Sequence, residues 1–152
     1  MNYWLFKSEP DEYSIDDLAA EKQGVGVWNG IRNFQARNLL RDNVQLGDQL
    51  FFYHSSCKQL GIAGAASVVK TAYADPSQFD PKSKYFDAKA TIDTPRWFCV
   101  DIQFKQRFYP LISLQQLKAI PELADMTLLR QGRLSIQPVT AKEWVLITAL
   151  GH

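Results

Sequence analysis

Across residues 97–104 the chain alternates strictly. Phe98, Val100, Ile102 and Phe104 take one set of positions, and Trp97, Cys99, Asp101 and Gln103 take the other. Successive side chains of a strand point to opposite faces, so this pattern predicts a strand with one face in a core and the other toward a polar region. Such a strand needs partners. Residues 3–6 form a short apolar run halted by Ser8-Glu9-Pro10, residues 24–28 are a brief extended segment, and residues 49–54 are built around Leu50, Phe51, Phe52 and Tyr53. Pro138 places residues 134–139 at a sheet edge or a strand end. Residues 62–73 admit a helix through their alanines, but Gly64 and the pair Val68-Val69 favour a bent strand returning along the one before it.

The helical stretches are short and announced by their caps. Ser14 with Asp17 opens one that carries Ile15, Leu18 and Ala19 on a single face, and residues 33–41 hold Phe34, Ala36, Leu39 and Leu40 as an apolar stripe. Ser113 with Gln116 opens another, ended by Pro121, and a further turn runs through Leu128 and Leu129. Thr140 with Glu143 starts the last helix, for which Gly151 is the expected C-cap. About five or six strands with short α-helices between them predict an α+β fold, a small curled sheet or barrel with helical covers. A chain of 152 residues buries roughly 68–70% of the surface its unfolded form exposes, enough for a core without staples. No repeat, low-complexity tract or Gly/Ser linker divides the sequence, which predicts one domain over residues 1–152. The polar stretch holding Pro76, Pro81 and Pro95 is a long excursion of the kind that serves function or acts as a lid.

The longest small-apolar stretch, 61–69, is far below the ~18 residues a spanning helix needs, and the N-terminus lacks a secretory pattern. Cys57 and Cys99 have no CxxC spacing and suit a reducing compartment. These readings predict a cytoplasmic, monomeric protein without membrane contact. With 17 basic and 16 acidic side chains, global charge carries no message; its distribution does. Residues 28–41 contain Arg32, Arg37 and Arg41 and no acid, and Arg37 and Arg41 lie four apart on one helix side. Such a face attracts phosphate, although a solvated helix face has the same pattern. Trp28 with Asn29, Asn33, Gln35 and Asn38 combines a flat ring with side-chain amides, the means to stack a base and read its edge. On spacing alone Trp28 also reads as ordinary core, and Trp97 has the same two readings.

Lys7-Ser8-Glu9 follows the first strand, where it lines a cleft or makes a surface turn. His54 and Ser55 end a later strand. One interior histidine with two distant cysteines makes no zinc site, so no metal or cofactor is expected. His54 beside Ser55, with Glu9 or Asp101, supplies triad residue types. Adjacent strand residues face opposite ways, however, and no GxSxG, GxxxxGKS/T or GxGxxG motif is present.

In order, residues 4–10 (Trp-Leu-Phe-Lys-Ser-Glu-Pro), 28–38 (Trp-Asn-Gly-Ile-Arg-Asn-Phe-Gln-Ala-Arg-Asn), 51–55 (Phe-Phe-Tyr-His-Ser), 61–64 (Gly-Ile-Ala-Gly) and 133–138 (Arg-Leu-Ser-Ile-Gln-Pro) closely resemble the EVE domain. The resemblance covers nearly the whole chain. It implies a PUA-like small curled β-barrel flanked by helices, related to the YTH domains that read methylated adenine in RNA. It further implies a non-catalytic reader of modified nucleobases in DNA or RNA, with a pocket on one side of the barrel. The resemblance carries over Lys7, Ser8, Glu9, Trp28, Asn29, Asn33, His54, Ser55, Trp97, Ser135 and Gln137 as pocket candidates. Arg32, Arg37, Arg41 and Arg133 would then anchor phosphates, and stacking would contribute roughly 1–3 kcal/mol per base. Two rivals stand beside this expectation: an enzyme acting on a modified nucleobase or nucleotide with Glu9 or His54 as acid/base, and a small-molecule or protein-interaction domain whose arginines only solubilise it.

Overall fold

The computed structural model describes residues 1–151. Strands β1 (Tyr3–Ser8) and β3 (Gln49–His54) are apolar without interruption through their middles, which a strand tolerates only when both faces of its sheet are covered. That is their position. With β2 (Val25–Trp28), β4 (Gly61–Ala74), β5 (Phe98–Ser113) and β6 (Ile136–Val139) they form a six-stranded sheet in the order β2-β5-β4-β3-β1-β6. β1 and β3 pair in parallel, placing Lys7 beside Tyr53 and Ser8 beside His54; all other pairs are antiparallel.

Alternation then sorts two cores. Trp4, Phe6, Leu50, Phe52, Val100 and Ile102 face α1 (Ile15–Ala20) and α2 (Phe34–Asp42), whose Leu18, Ala36 and Leu40 close that side. Leu5, Phe51, Tyr53 and Ile62 face the opposite way, toward Leu117 of α3 (Leu114–Lys118), Leu128 of α4 (Thr127–Arg130), and Trp144 and Ile147 of α5 (Ala141–Thr148). The helices thus divide by chain order, the first two on one face and the last three on the other. All three predicted N-caps form, at Ser14, Ser113 and Thr140, and two of them close into capping boxes, Ser14 with Asp17 and Thr140 with Glu143.

Three details differ from expectation. The sheet curls through repeated register shifts between β4 and β5, but β2 and β6 remain separate edges, so among the described residues it is not a closed barrel. β5 runs on past Phe104 to Ser113, because Gln106 and Arg107 continue the backbone ladder with Ala65 and Gly64 after the apolar alternation has ended. α5 caps at Ala149 rather than Gly151; Gly151 is needed instead for close packing, since a Cβ there would stand 2.4 Å from the Phe108 ring.

Candidate functional site

A cleft of about 1030 Å³ opens where β1 and β2 end, at the upper end of the range typical for small-ligand sites. Its lining comes from five segments: the turn after β1, β2 with the residues on either side of it, the loop after β3, the loop before β6, and the Pro-rich excursion between β4 and β5. Lys7, Ser8, Glu9, Trp28, Asn29, Arg32, Ser55, Arg133 and Ser135 all line it, so nine of the sequence candidates meet at one place.

Trp28 is both core and floor. Only 5% of it is exposed, its ring meets Phe52 edge to face at 5.1 Å and lies 5.3 Å from Phe6, and the part left open belongs to the cleft. Lys7 is half-buried, which lowers its pKa; its Nζ donates to the Gly132 carbonyl and stands 5.4 Å from the Tyr53 centroid. Ser8 Oγ donates to the Tyr13 carbonyl at 2.7 Å, while Glu9 and Asn29 are exposed at the rim.

Tyr85, from the excursion, is the wall that sequence reasoning missed. Its hydroxyl donates to Glu12 at 2.9 Å, Lys84 pairs with the same carboxylate, and burial followed by Glu9 raises the phenol pKa against the opposing Arg32. Tyr13, at 6.4 Å from Trp28, was missed as well. The available signal was the length of the excursion, which marked the segment but not the residue.

Arg32 holds that wall in place. It makes five hydrogen bonds to four acceptors: Nε and Nη2 both reach the Tyr85 carbonyl (3.1 and 2.6 Å), Nη2 also reaches Ser77 Oγ (3.1 Å), and Nη1 reaches the Ile31 carbonyl (2.8 Å) and Asp75 (3.2 Å). Asp75 is fully buried and also accepts from the Gly30 and Ser77 amides. The guanidinium expected to bind phosphate is therefore consumed internally, and Arg32 positions the wall.

Six other candidates lie outside the cleft. Asn33 caps α2, accepting the Ala36 amide at 2.9 Å. His54 faces away from Ser55, as strand alternation requires, and its Nε2 accepts the Ile15 amide at 3.1 Å beside a second hollow of about 840 Å³. Gln137 is wholly buried and donates to the carbonyls of Leu134 (2.7 Å) and Gln131 (3.1 Å); it supports the loop that brings Arg133 to the cleft, while its Oε1 has no protein partner. Trp97 lies just before β5 with guanidinium groups around it, yet it is covered: Phe34 stacks on its ring at 4.8 Å, and Gln78 of the excursion clamps its backbone by accepting its amide at 3.0 Å and donating to its carbonyl at 2.8 Å. Arg41 pairs with neighbouring Asp42 at 2.7 Å, whereas Arg37 lies among cations, its pKa lowered by burial and then by Arg41 and Arg96. Arg37 and Arg41 sit along α2, beyond the residues that line the cleft.

Among the described residues no group of three or more His, Cys, Asp or Glu could hold a metal ion, and no helix is long and apolar enough to cross a membrane. The cleft can enclose a flat, polar-edged molecule: rings from Trp28, Tyr13 and Tyr85, serine hydroxyls for its substituents, and cations of both short and long reach around the mouth.

Comparison with known proteins matches the EVE domain over residues 2–150. Thymocyte nuclear protein 1 of Danio rerio is 42% identical over 165 residues, spanning 97% of this chain and 71% of that one. The human THYN1 protein, solved in complex with 5-methylcytosine containing DNA, superposes with a TM-score of 0.93 at 38% identity, covering 99% of this chain and 97% of that one. A Pseudomonas syringae protein of known structure gives a TM-score of 0.92 at 50% identity, with 97% and 98% covered.

Proposed function

This chain belongs to the EVE domain family, and from that premise we propose that it is a non-catalytic module that binds nucleic acid and reads a modified base in the cleft floored by Trp28. The carrying observation is the human relative's complex with 5-methylcytosine DNA, on a structure that superposes along nearly the whole of this one. The cleft supports the reading by its chemistry. An extruded or unpaired base slides between Trp28, Tyr13 and Tyr85, while Ser8, Ser55, Ser135, Asn29 and Glu9 select its polar edge. A methyl group or similar substituent adds apolar contact against the rings. Lys7 and Arg133 at the mouth, with Arg37 and Arg41 on α2, hold the flanking phosphates. The enzyme reading is weaker, because His54 lies outside the cleft and is committed to the Ile15 amide, so that of the two acid/base candidates only Glu9 lines it. The protein acts as a monomer in a reducing compartment; Cys57 and Cys99 are free.

The test is binding to matched DNA and RNA oligonucleotides carrying cytosine, 5-methylcytosine and other modified bases, with product mass followed in parallel. Tighter binding to one modified base, lost in Trp28→Ala and unaccompanied by turnover, is expected. Equal binding to all bases, or turnover that vanishes in Glu9→Gln, overturns the proposal.

A further inference from the structure

Phe34, the first residue of α2, is 48% exposed, although its ring stacks on the buried Trp97 with centroids 4.8 Å apart and planes at 26°. Two guanidinium groups attend the pair. Arg37 stands 4.7 Å from the Phe34 centroid and 5.8 Å from that of Trp97; for Arg96 the distances are 5.5 and 5.9 Å. A cation lying on the outer face of Phe34 would be separated from Trp97 by the full thickness of the stack. Near-equal distances to both rings put the guanidiniums beside the pair instead, which leaves the outer face of Phe34 open. Both are held in place, Arg37 by the Arg96 carbonyl at 2.9 Å and Arg96 by Asp87 at 3.0 Å. The platform is also continuous with the cleft: the Arg32 guanidinium stands 5.3 Å from the Tyr85 centroid and 5.3 Å from that of Trp97, so Tyr85, Arg32, Trp97 and Phe34 form one unbroken run.

We propose that the outer face of Phe34 is a second stacking site, for an unpaired base adjacent to the one held in the cleft, with Arg37 and Arg96 gripping the phosphate that joins them. The proposal rests on the reading of the cleft as a nucleic-acid site. An open ring bordered by two fixed guanidiniums matches the chemistry of a nucleotide, since any base offers a flat face and guanidinium offers paired donors to phosphate. Because the cations are already oriented, little side-chain freedom is lost on binding.

The experiment uses single-stranded oligonucleotides carrying 5-methylcytosine with a fluorescent base analogue on its 5′ or 3′ side, and the isolated 5-methylcytosine nucleotide as a second probe. The analogue on one of the two sides is expected to be quenched on binding. Phe34→Ala should weaken the oligonucleotide roughly 5- to 150-fold and abolish the quenching, while leaving binding of the isolated nucleotide and the preference for the modified base intact. Phe34→Trp should retain affinity and quenching. Phe34→Leu, which still covers Trp97 but offers no aromatic face, should behave as Phe34→Ala. Unchanged affinity and quenching in Phe34→Ala and Phe34→Leu overturn the second site while the cleft reading stands. Failure of the unaltered protein to bind any oligonucleotide overturns both.

Discussion

Tyr85 lies over Gly30, so close that a Cβ on the glycine would stand 2.8 Å from Tyr85 Cζ. The backbone at Gly30 has φ of +81°, a conformation that side-chain-bearing residues avoid. The same short segment sends the Gly30 amide to Asp75 and the Arg32 guanidinium to the Tyr85 carbonyl. A turn after β2 therefore turns a polar excursion into a wall.

Gly30→Ala is expected to cost about 1–2 kcal/mol through the left-handed backbone alone, and to push the Tyr85 ring off its seat. Urea unfolding should show the lower stability, and oligonucleotide affinity should fall with it. Unchanged affinity would mean that Tyr85 takes no part in binding.

Asp75→Ala should be more severe. It strips a fully buried carboxylate from Arg32, whose side chain is 22% exposed, and removes the acceptor for two backbone amides. Breaking a buried ion pair by deleting one partner costs about 3–5 kcal/mol. The urea midpoint measures it, and a loss near that of an ordinary surface substitution would show that Arg32 finds other acceptors.

His54 makes stability depend on pH. Burial lowers its pKa below the ordinary 6.5, against the smaller pull of Asp16 and Asp17, and protonation would end its acceptance of the Ile15 amide. The unfolded chain takes up a proton near pH 6.5 that the folded chain refuses until lower pH. The stability linked to this group is therefore complete above about 6.5 and is lost as pH falls toward the folded value. Between about pH 7 and about pH 5 the urea midpoint of the unaltered protein should drop more than that of His54→Gln. Parallel curves would contradict this.

The two thiols should separate by reactivity. Cys99 is wholly buried and its pKa is pushed up to about 12, chiefly by burial, whereas Cys57 is partly exposed. Near pH 8 a disulfide reagent should modify Cys57 rapidly in the native protein and reach Cys99 only after denaturant is added. Rapid reaction of both would show that the strand bearing Cys99 opens readily.

Salt dependence distinguishes the α2 arginines. Among the described residues Arg37 forms no ion pair and its nearer charges are the cations Arg41 and Arg96, whereas Arg41 is already paired with Asp42. Arg37→Ala should reduce the slope of log affinity against log salt by about 1 and Arg41→Ala by less. Equal slopes for both variants and the unaltered protein would remove α2 from the phosphate path.

Much of this molecule is readable along a few neighbouring residues. The capping boxes at Ser14 and Thr140 form as their spacing says, because a cap is a bond between a side chain and a backbone amide three residues away. The alternation around Val100 and Ile102 correctly sends those residues into one core. The local excess of arginine between Trp28 and Arg41 was legible in the same way.

The destinations were not. Arg32 meets Asp75 and Tyr85 at sequence separations of 43 and 53 residues, and no local pattern distinguishes a guanidinium that will bind phosphate from one that will fasten a loop. Trp97 is covered because Phe34 stacks on its ring while Gln78 folds back to hold its backbone, and Trp28 is core and cleft floor at once because Phe6, Phe52 and the cleft all converge on its ring. Short-range hydrogen bonds and side-chain periodicity are written into consecutive residues. Which side chains share a cavity depends on strand pairing and packing between distant segments, and those energies exist only once the sheet has assembled.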